Sequence, residues 1–123
     1  VTNPRQLWAD LGQDAHGIVV AQVAPSPWRA TLPLVREYHQ LLATLKSKDY
    51  SYGSLEGFIV AKVAVEALRR AGRDLTREKY MAALEGLQNY DLGGYVVGYG
   101  PTSHAGSTYV DLSIIGRDGQ FLR

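Results

Sequence analysis

The sequence predicts an α/β fold, with helices packed on an incomplete, mostly parallel sheet and the chain closing in β strands or a hairpin. Three observations carry this prediction. The run Ile18-Val19-Val20-Ala21-Gln22-Val23-Ala24 is β-branched and almost wholly apolar, which reads as a strand buried on both faces. Three segments with helical spacing follow it. After Gly93 the pattern becomes strand-like, and Asp118-Gly119 is a strong hairpin-turn signal.

Each element has a local reason. Asn3 to Leu11 predicts a short helix: Asn3 suits the N-cap, Pro4 the first helical position, and Leu7, Trp8 and Leu11 share a face that Gly12 ends. The strand opens at Gly17 and stops at Pro25-Ser26-Pro27, because proline removes a donor and holds its predecessor extended. From Leu32 to Leu45, the residues Leu34, Val35, Tyr38, Leu41, Leu42 and Leu45 recur at three and four, with Pro33 in the first turn. Lys46 to Gly53 is a polar loop carrying Tyr50 and Tyr52. The longest helix runs from Ser54 to Ala71, with Ser54 as N-cap, Glu56 at the positive helix start and Gly72 as the stop. Its apolar residues surround so much of the helix that it expects cover on more than one side. Thr76 caps a further helix, Arg77 to Leu87. Tyr95 to Tyr99 and Thr108 to Ile115 are strands joined by a turn-rich connection over 100–106. A parallel-type strand near Ile18 lacks neighbours in this chain. It therefore reads as part of a larger sheet, or as a strand that pairs with another copy.

Composition narrows the function. The 123 residues are 46% apolar and 20% charged, enough for a small core and unlike a disordered chain. A net charge of +1 leaves no electrostatic footprint for nucleic acid, and none is expected as a partner. The chain has no cysteine, which removes disulfides, thiol catalysis and thiolate metal sites. No apolar run approaches the roughly 20 residues that span a bilayer. Val1 to Asp10 is polar and not a signal peptide, so either the protein is cytosolic or the N-terminal part of the gene product lies elsewhere.

Catalysis finds no support in the motifs. Gly53-Ser54-Leu55-Glu56-Gly57 misses the Gly-x-Ser-x-Gly spacing of a nucleophile elbow and is better explained by a helix cap. His16, His39 and His104 are far apart and have no metal-ligand neighbour, so no metal site is expected. Gly93, Gly94, Gly98 and Gly100 fall in strand territory, where they cannot cradle phosphate. With no convergent acid, base or nucleophile, the sequence predicts a non-enzyme without a cofactor.

The aromatics offer more: eight Tyr and two Trp are many for this length. Trp28 follows the turn at the carboxyl end of a strand, where open α/β folds bind ligands. Tyr50 and Tyr52 precede a helix N-terminus that favours anions. The same rings also fit a core or boundary role. Glu56 reads equally as a partner of the helix dipole and as a carboxylate for a ligand ammonium.

Three stretches taken together resemble a known family. They are Gly17 to Trp28, Tyr52 to Gly72, and Tyr90-Asp-Leu-Gly-Gly-Tyr-Val-Val-Gly-Tyr-Gly-Pro-Thr-Ser-His-Ala-Gly106 with the closing Val110 to Phe121. In order and spacing the chain resembles the C-terminal region of type I periplasmic binding proteins, the leucine/isoleucine/valine-binding receptors of ABC transporters. The resemblance implies two α/β lobes joined by three crossovers, hinged around a ligand cleft. Residues 1–123 are then a single fragment, the C-terminal part of a two-lobed protein, without an independent second domain. Val23 to Trp28 would cross to the first lobe, the long helix would pack there, and the strands after Gly93 would form the last crossover and closing edge. The expected partners are a small solute, such as an amino acid, and ABC permease subunits. The expected location is the periplasm, reached through a signal peptide outside this chain. The family's cleft has a contact near the start of the long helix, which falls here on Phe58 with Glu56, Ser54 and Tyr52 nearby; Trp28 joins them as a candidate. Phe58 lacks the hydroxyl that a tyrosine would offer. The alternative is a stand-alone, self-associating ligand-sensing or regulatory domain of the same fold, a homodimer completed by strand exchange.

Overall fold

A computed structural model of the chain describes residues 4–122. Its elements are α1 (Pro4–Leu11), a 3-10 turn (Gly12–Ala15), β1 (Val19–Gln22), α2 (Pro33–Thr44), α3 (Tyr52–Ala71), α4 (Arg77–Glu85), β2 (Tyr90–Asp91), β3 (Val96–Gly100), β4 (Ser103–Gly106), β5 (Asp111–Ile115) and β6 (Phe121–Leu122). They form two compact units. One runs to Ala24 and resumes at Val110; the other is Pro25–Tyr109. The predicted N-cap Asn3 lies outside the described residues.

In the discontinuous unit, β1 pairs antiparallel with β5, from Val19 opposite Ile114 to Gln22 opposite Asp111, and β5 pairs antiparallel with β6. This corrects the expectation of a doubly buried strand without a neighbour. The neighbour arrives from the far end of the chain, and the side chains alternate. Val20, Gln22, Ser113 and Ile115 are buried; Val19, Ala21, Leu112 and Ile114 are exposed. Ala15, Val20 and Ile115 form a small core against which Leu7, Trp8, Ile18 and Phe121 pack. Leu11 stays exposed. The Asp118-Gly119 turn forms as predicted, closed by the Gly116 N–H donating to the Gln120 carbonyl at 2.7 Å.

In the continuous unit, α3 packs on α2 and α4, and α4 packs on β3. Its buried apolar residues include Leu34, Val35 and Tyr38 of α2, Tyr52, Leu55, Ile59, Val63 and Ala67 of α3, and Leu87, Leu92, Tyr95 and Val97. The α3 residues recur at three and four, as one helix face requires. The second apolar stripe of α3 has no cover among the described residues: Val60 is 66% exposed, and Val65 and Leu68 are exposed as well.

The start of α3 differs from the sequence reading. The helix begins at Tyr52 and its N-cap is Ser51, whose Oγ accepts the Ser54 N–H at 3.2 Å. Ser54 is therefore inside the first turn and not the cap. Thr76 caps α4 as predicted, accepting the Lys79 N–H at 3.2 Å, and Gly72 ends α3 with φ +80°. The connection read as turns over 100–106 contains β4, which pairs antiparallel with β3 across a register irregularity between Gly98 and Gly100. The short strand β2 was also hidden; it pairs with β3 at Tyr90–Val97 and Asp91–Val96. Between β2 and β3, Asp91 Oδ1 accepts the N–H groups of Gly93 and Gly94 at 2.9 and 2.6 Å. The Gly93 carbonyl in turn accepts the Leu34 N–H at 3.1 Å, tying this turn to the first turn of α2.

Tyr99, on β3, has its phenol pushed above the ordinary 10.0 by burial first, then by the neighbouring Tyr95 and Tyr80. A raised native value means the folded state holds the proton more tightly. Its stability contribution is therefore complete below the ordinary value and is lost as pH rises through the native one. Tyr99→Phe is expected to flatten the alkaline fall in stability that begins near 10.0, as read from urea midpoints across that range. An unchanged alkaline limb would exclude Tyr99 as its source.

Candidate functional site

The predicted site residues gather around the N-terminus of α3. Tyr38 of α2 is the hub: it is 1% exposed and its ring centroid lies 5.9 Å from those of Phe58, Tyr50 and His39. Its hydroxyl is hydrogen-bonded to Ser54 Oγ and accepts the Ser51 N–H at 3.3 Å. Ser51 Oγ and Ser54 Oγ share a further bond at 2.9 Å. Three hydroxyls and a helix cap therefore form one connected polar group at the positive end of the α3 dipole.

Trp28 belongs to the same region. His39 Nε2 lies 2.7 Å from the Pro27 carbonyl oxygen, which positions the turn that carries Trp28. The His39 ring stacks on Tyr50 at 4.0 Å and 13°. Trp28 itself meets Tyr52 edge to face, with centroids 5.4 Å apart and planes at 84°. Tyr52 is buried, Trp28 is half-buried, and Glu56 sits one turn along α3. Oε1 of Glu56 is buried and has no hydrogen-bond partner among the described residues.

Phe58 lies on the flank. It lines an open cavity of about 410 Å³ together with Glu37, Lys62 and Arg69. The Glu37 carboxylate pairs with Lys62, whose Nζ lies 5.6 Å from the Phe58 ring centre. Trp28 and Tyr52 thus form one contact, Ser54 and Phe58 join through Tyr38, and Glu56 stands beside them with an acceptor to spare. The arrangement offers aromatic faces, hydroxyl donors, a helix N-terminus and a carboxylate, the means to hold a small molecule carrying both charges. No group of three or more His, Asp or Glu among the described residues is placed to hold a metal ion. No helix among them is long and apolar enough to cross a membrane.

Sequence reasoning missed Tyr38, Ser51 and His39 as parts of this region. Tyr38 read as one more apolar-face residue, and His39 as one of three scattered histidines without a metal-ligand neighbour. The available signal was the spacing of Ser51 and Ser54, two capping residues three apart, of which either suits the cap.

No family model matches the sequence, and no curated protein matches it. Solved structures do. A substrate-binding periplasmic protein from Ralstonia solanacearum matches with TM-score 0.85 and 38% identity, over 98% of this chain and 35% of that one. A possible leucine/isoleucine/valine-binding protein from Rhodopirellula baltica SH 1 matches with TM-score 0.84 and 36% identity, over 98% of this chain and 33% of that one. A branched chain amino acid ABC transporter protein from Thermus thermophilus, solved with bound valine, shares the fold at TM-score 0.79 and 21% identity, over 99% of this chain and 35% of its own. The architecture is that of a type I periplasmic binding protein, a class of substrate-binding proteins and not of enzymes. Over the part that it spans, about a third of the length of those proteins, the chain belongs to the leucine/isoleucine/valine-binding class.

Proposed function

We propose that this chain is the C-terminal third of the solute receptor of an ABC importer, acting in the periplasm on a branched-chain amino acid or a related small solute. The supporting observation is the match along 98% of the chain at 38% identity to a substrate-binding periplasmic protein. Two features of the molecule agree. The exposed second stripe of α3 and the exposed outer face of β1 and β5 are apolar surfaces that a larger protein would cover. The two units then correspond to parts of two lobes, and the connection after Ala24 to a crossover between them. Trp28, Tyr52, Ser54, Glu56 and Phe58 form the contribution of this chain to the ligand cleft. In it the aromatic rings flank the solute and Glu56 faces its ammonium.

The test is calorimetric titration of the whole receptor with leucine, isoleucine and valine, then with amides, urea and aromatic acids. Saturable binding of one of these solutes is expected. Glu56→Gln is expected to weaken binding of an ammonium-bearing solute about 10- to 100-fold, the value of a charge-assisted hydrogen bond. A folded receptor that binds none of them would overturn the proposal. Unchanged affinity in Glu56→Gln would remove Glu56 from the cleft. The second reading, a stand-alone self-associating domain, draws on the same exposed face of β1 and β5. Intact mass and N-terminal sequence of the native protein separate the two: a much longer chain favours the receptor, and a chain beginning near Val1 favours the self-associating domain.

A further inference from the structure

Gln22 of β1 and Ser113 of β5 stand on the covered face of their ladder, 1% and 4% exposed. Gln22 Oε1, Gln22 Nε2 and Ser113 Oγ are buried, and none has a hydrogen-bond partner among the described residues. The register makes the two side chains diagonal neighbours, since Gln22 lies opposite Asp111 and Ser113 opposite Val20. A native fold rarely leaves such a set unmade, because each unsatisfied atom loses its hydration and gains nothing in return.

What satisfies them must be small. Both side chains are already enclosed, so a further protein segment or a large ligand cannot reach them from outside. It must also both donate and accept: the amide brings a carbonyl oxygen and an NH₂ group, and the hydroxyl either donates or accepts. A cation would suit the oxygens alone, and an anion the amide nitrogen and the hydroxyl proton alone. We infer that β1 and β5 enclose an internal water site in which Gln22 and Ser113 are bridged by one or more ordered water molecules. The site lies beside the Gln22–Asp111 pair, the last rung before the chain leaves this unit and the first after it returns. Its water joins the two strands where the main-chain ladder ends.

The inference is independent of which solute the receptor binds. A crystal structure of the whole protein, at a resolution that shows ordered solvent, is expected to place a fully occupied water within hydrogen-bond distance of Ser113 Oγ and the Gln22 amide. A direct Gln22–Ser113 hydrogen bond, or a dry contact, would overturn it. Thermal unfolding gives a second reading. Gln22→Leu and Ser113→Ala are each expected to lower the midpoint by several degrees, because each strands the remaining polar partner. The double variant, with nothing left to strand, is expected to recover most of that loss. Losses that simply add in the double variant would count against a shared water.

Discussion

Tyr38→Ala is expected to destabilise the protein that carries this chain by about 3–5 kcal/mol, the cost of deleting a large buried ring. The position is almost fully enclosed, and three other rings rest on it. Removing it opens a cavity that Phe58, Tyr50 and His39 cannot all collapse into. The truncation also strands the Ser51 N–H, while the Ser54 hydroxyl loses one partner and keeps its bonds to Ser51 Oγ and the Ser51 carbonyl. Tyr38→Phe separates the two contributions, since it keeps the ring and removes only the oxygen. Its expected cost is about 1–3 kcal/mol, that of leaving the half-buried Ser51 N–H unpaired. Urea midpoints of the two variants, with their slopes, provide the check. An Ala variant no worse than the Phe variant would mean that the rings contribute little. A Phe variant as stable as the parent would mean that the hydroxyl network carries no weight.

Gly93→Ala is expected to cost about 3–5 kcal/mol, from backbone strain and a clash acting together. Gly93 has φ +107°, a region that side chains rarely tolerate. A Cβ there would stand 2.8 Å from the Leu34 nitrogen and 3.1 Å from Pro33 Cβ, in the first turn of α2. That nitrogen donates to the Gly93 carbonyl, so the helix cannot retreat without losing the bond. Gly94 supplies the control. Its φ is +86°, but a Cβ would meet the end of the Leu32 side chain at 2.9 Å, and that side chain can rotate away. Gly94→Ala should therefore be clearly milder. Thermal midpoints of the pair decide the matter. Equal losses would show that dihedral strain dominates and that contact with α2 adds nothing.

The parts of the fold that were legible in the sequence are those whose cause is local. The face of α2 from Leu34 to Tyr38, the Thr76 cap, the Gly72 stop and the Asp118-Gly119 turn each depend on residues a few positions apart. What was not legible depends on partners far away. β1 is apolar enough to be doubly buried, yet its neighbour β5 comes from the end of the chain, and that pairing leaves Val19 and Ala21 exposed. β4 is made of Ser103, His104, Ala105 and Gly106, residues with little strand preference, and exists because β3 offers it an edge. The α3 start shifted because Tyr52, read as loop, is buried and edge-on to Trp28, which makes Ser51 and not Ser54 the last extended residue. The site shows the same division. Trp28, Tyr52, Ser54, Glu56 and Phe58 were found as residue types near a strand end and a helix start. Tyr38, which connects Ser54 and Phe58, carries no mark in the sequence that sets it apart from Leu34 or Leu41.

The Gln22–Asp111 rung has a topological consequence. The chain leaves the discontinuous unit just after one member of that pair and re-enters just before the other, so the whole of Pro25–Tyr109 is a detour with neighbouring mouths. For the β1–β5 hairpin that detour is formally a very long loop. Its ends are close enough for a two-residue Asn-Gly turn to join Gln22 to Asp111 directly and leave the ladder in register. Evolution could therefore enlarge, replace or trim everything between the two mouths without renegotiating the pairing beneath them.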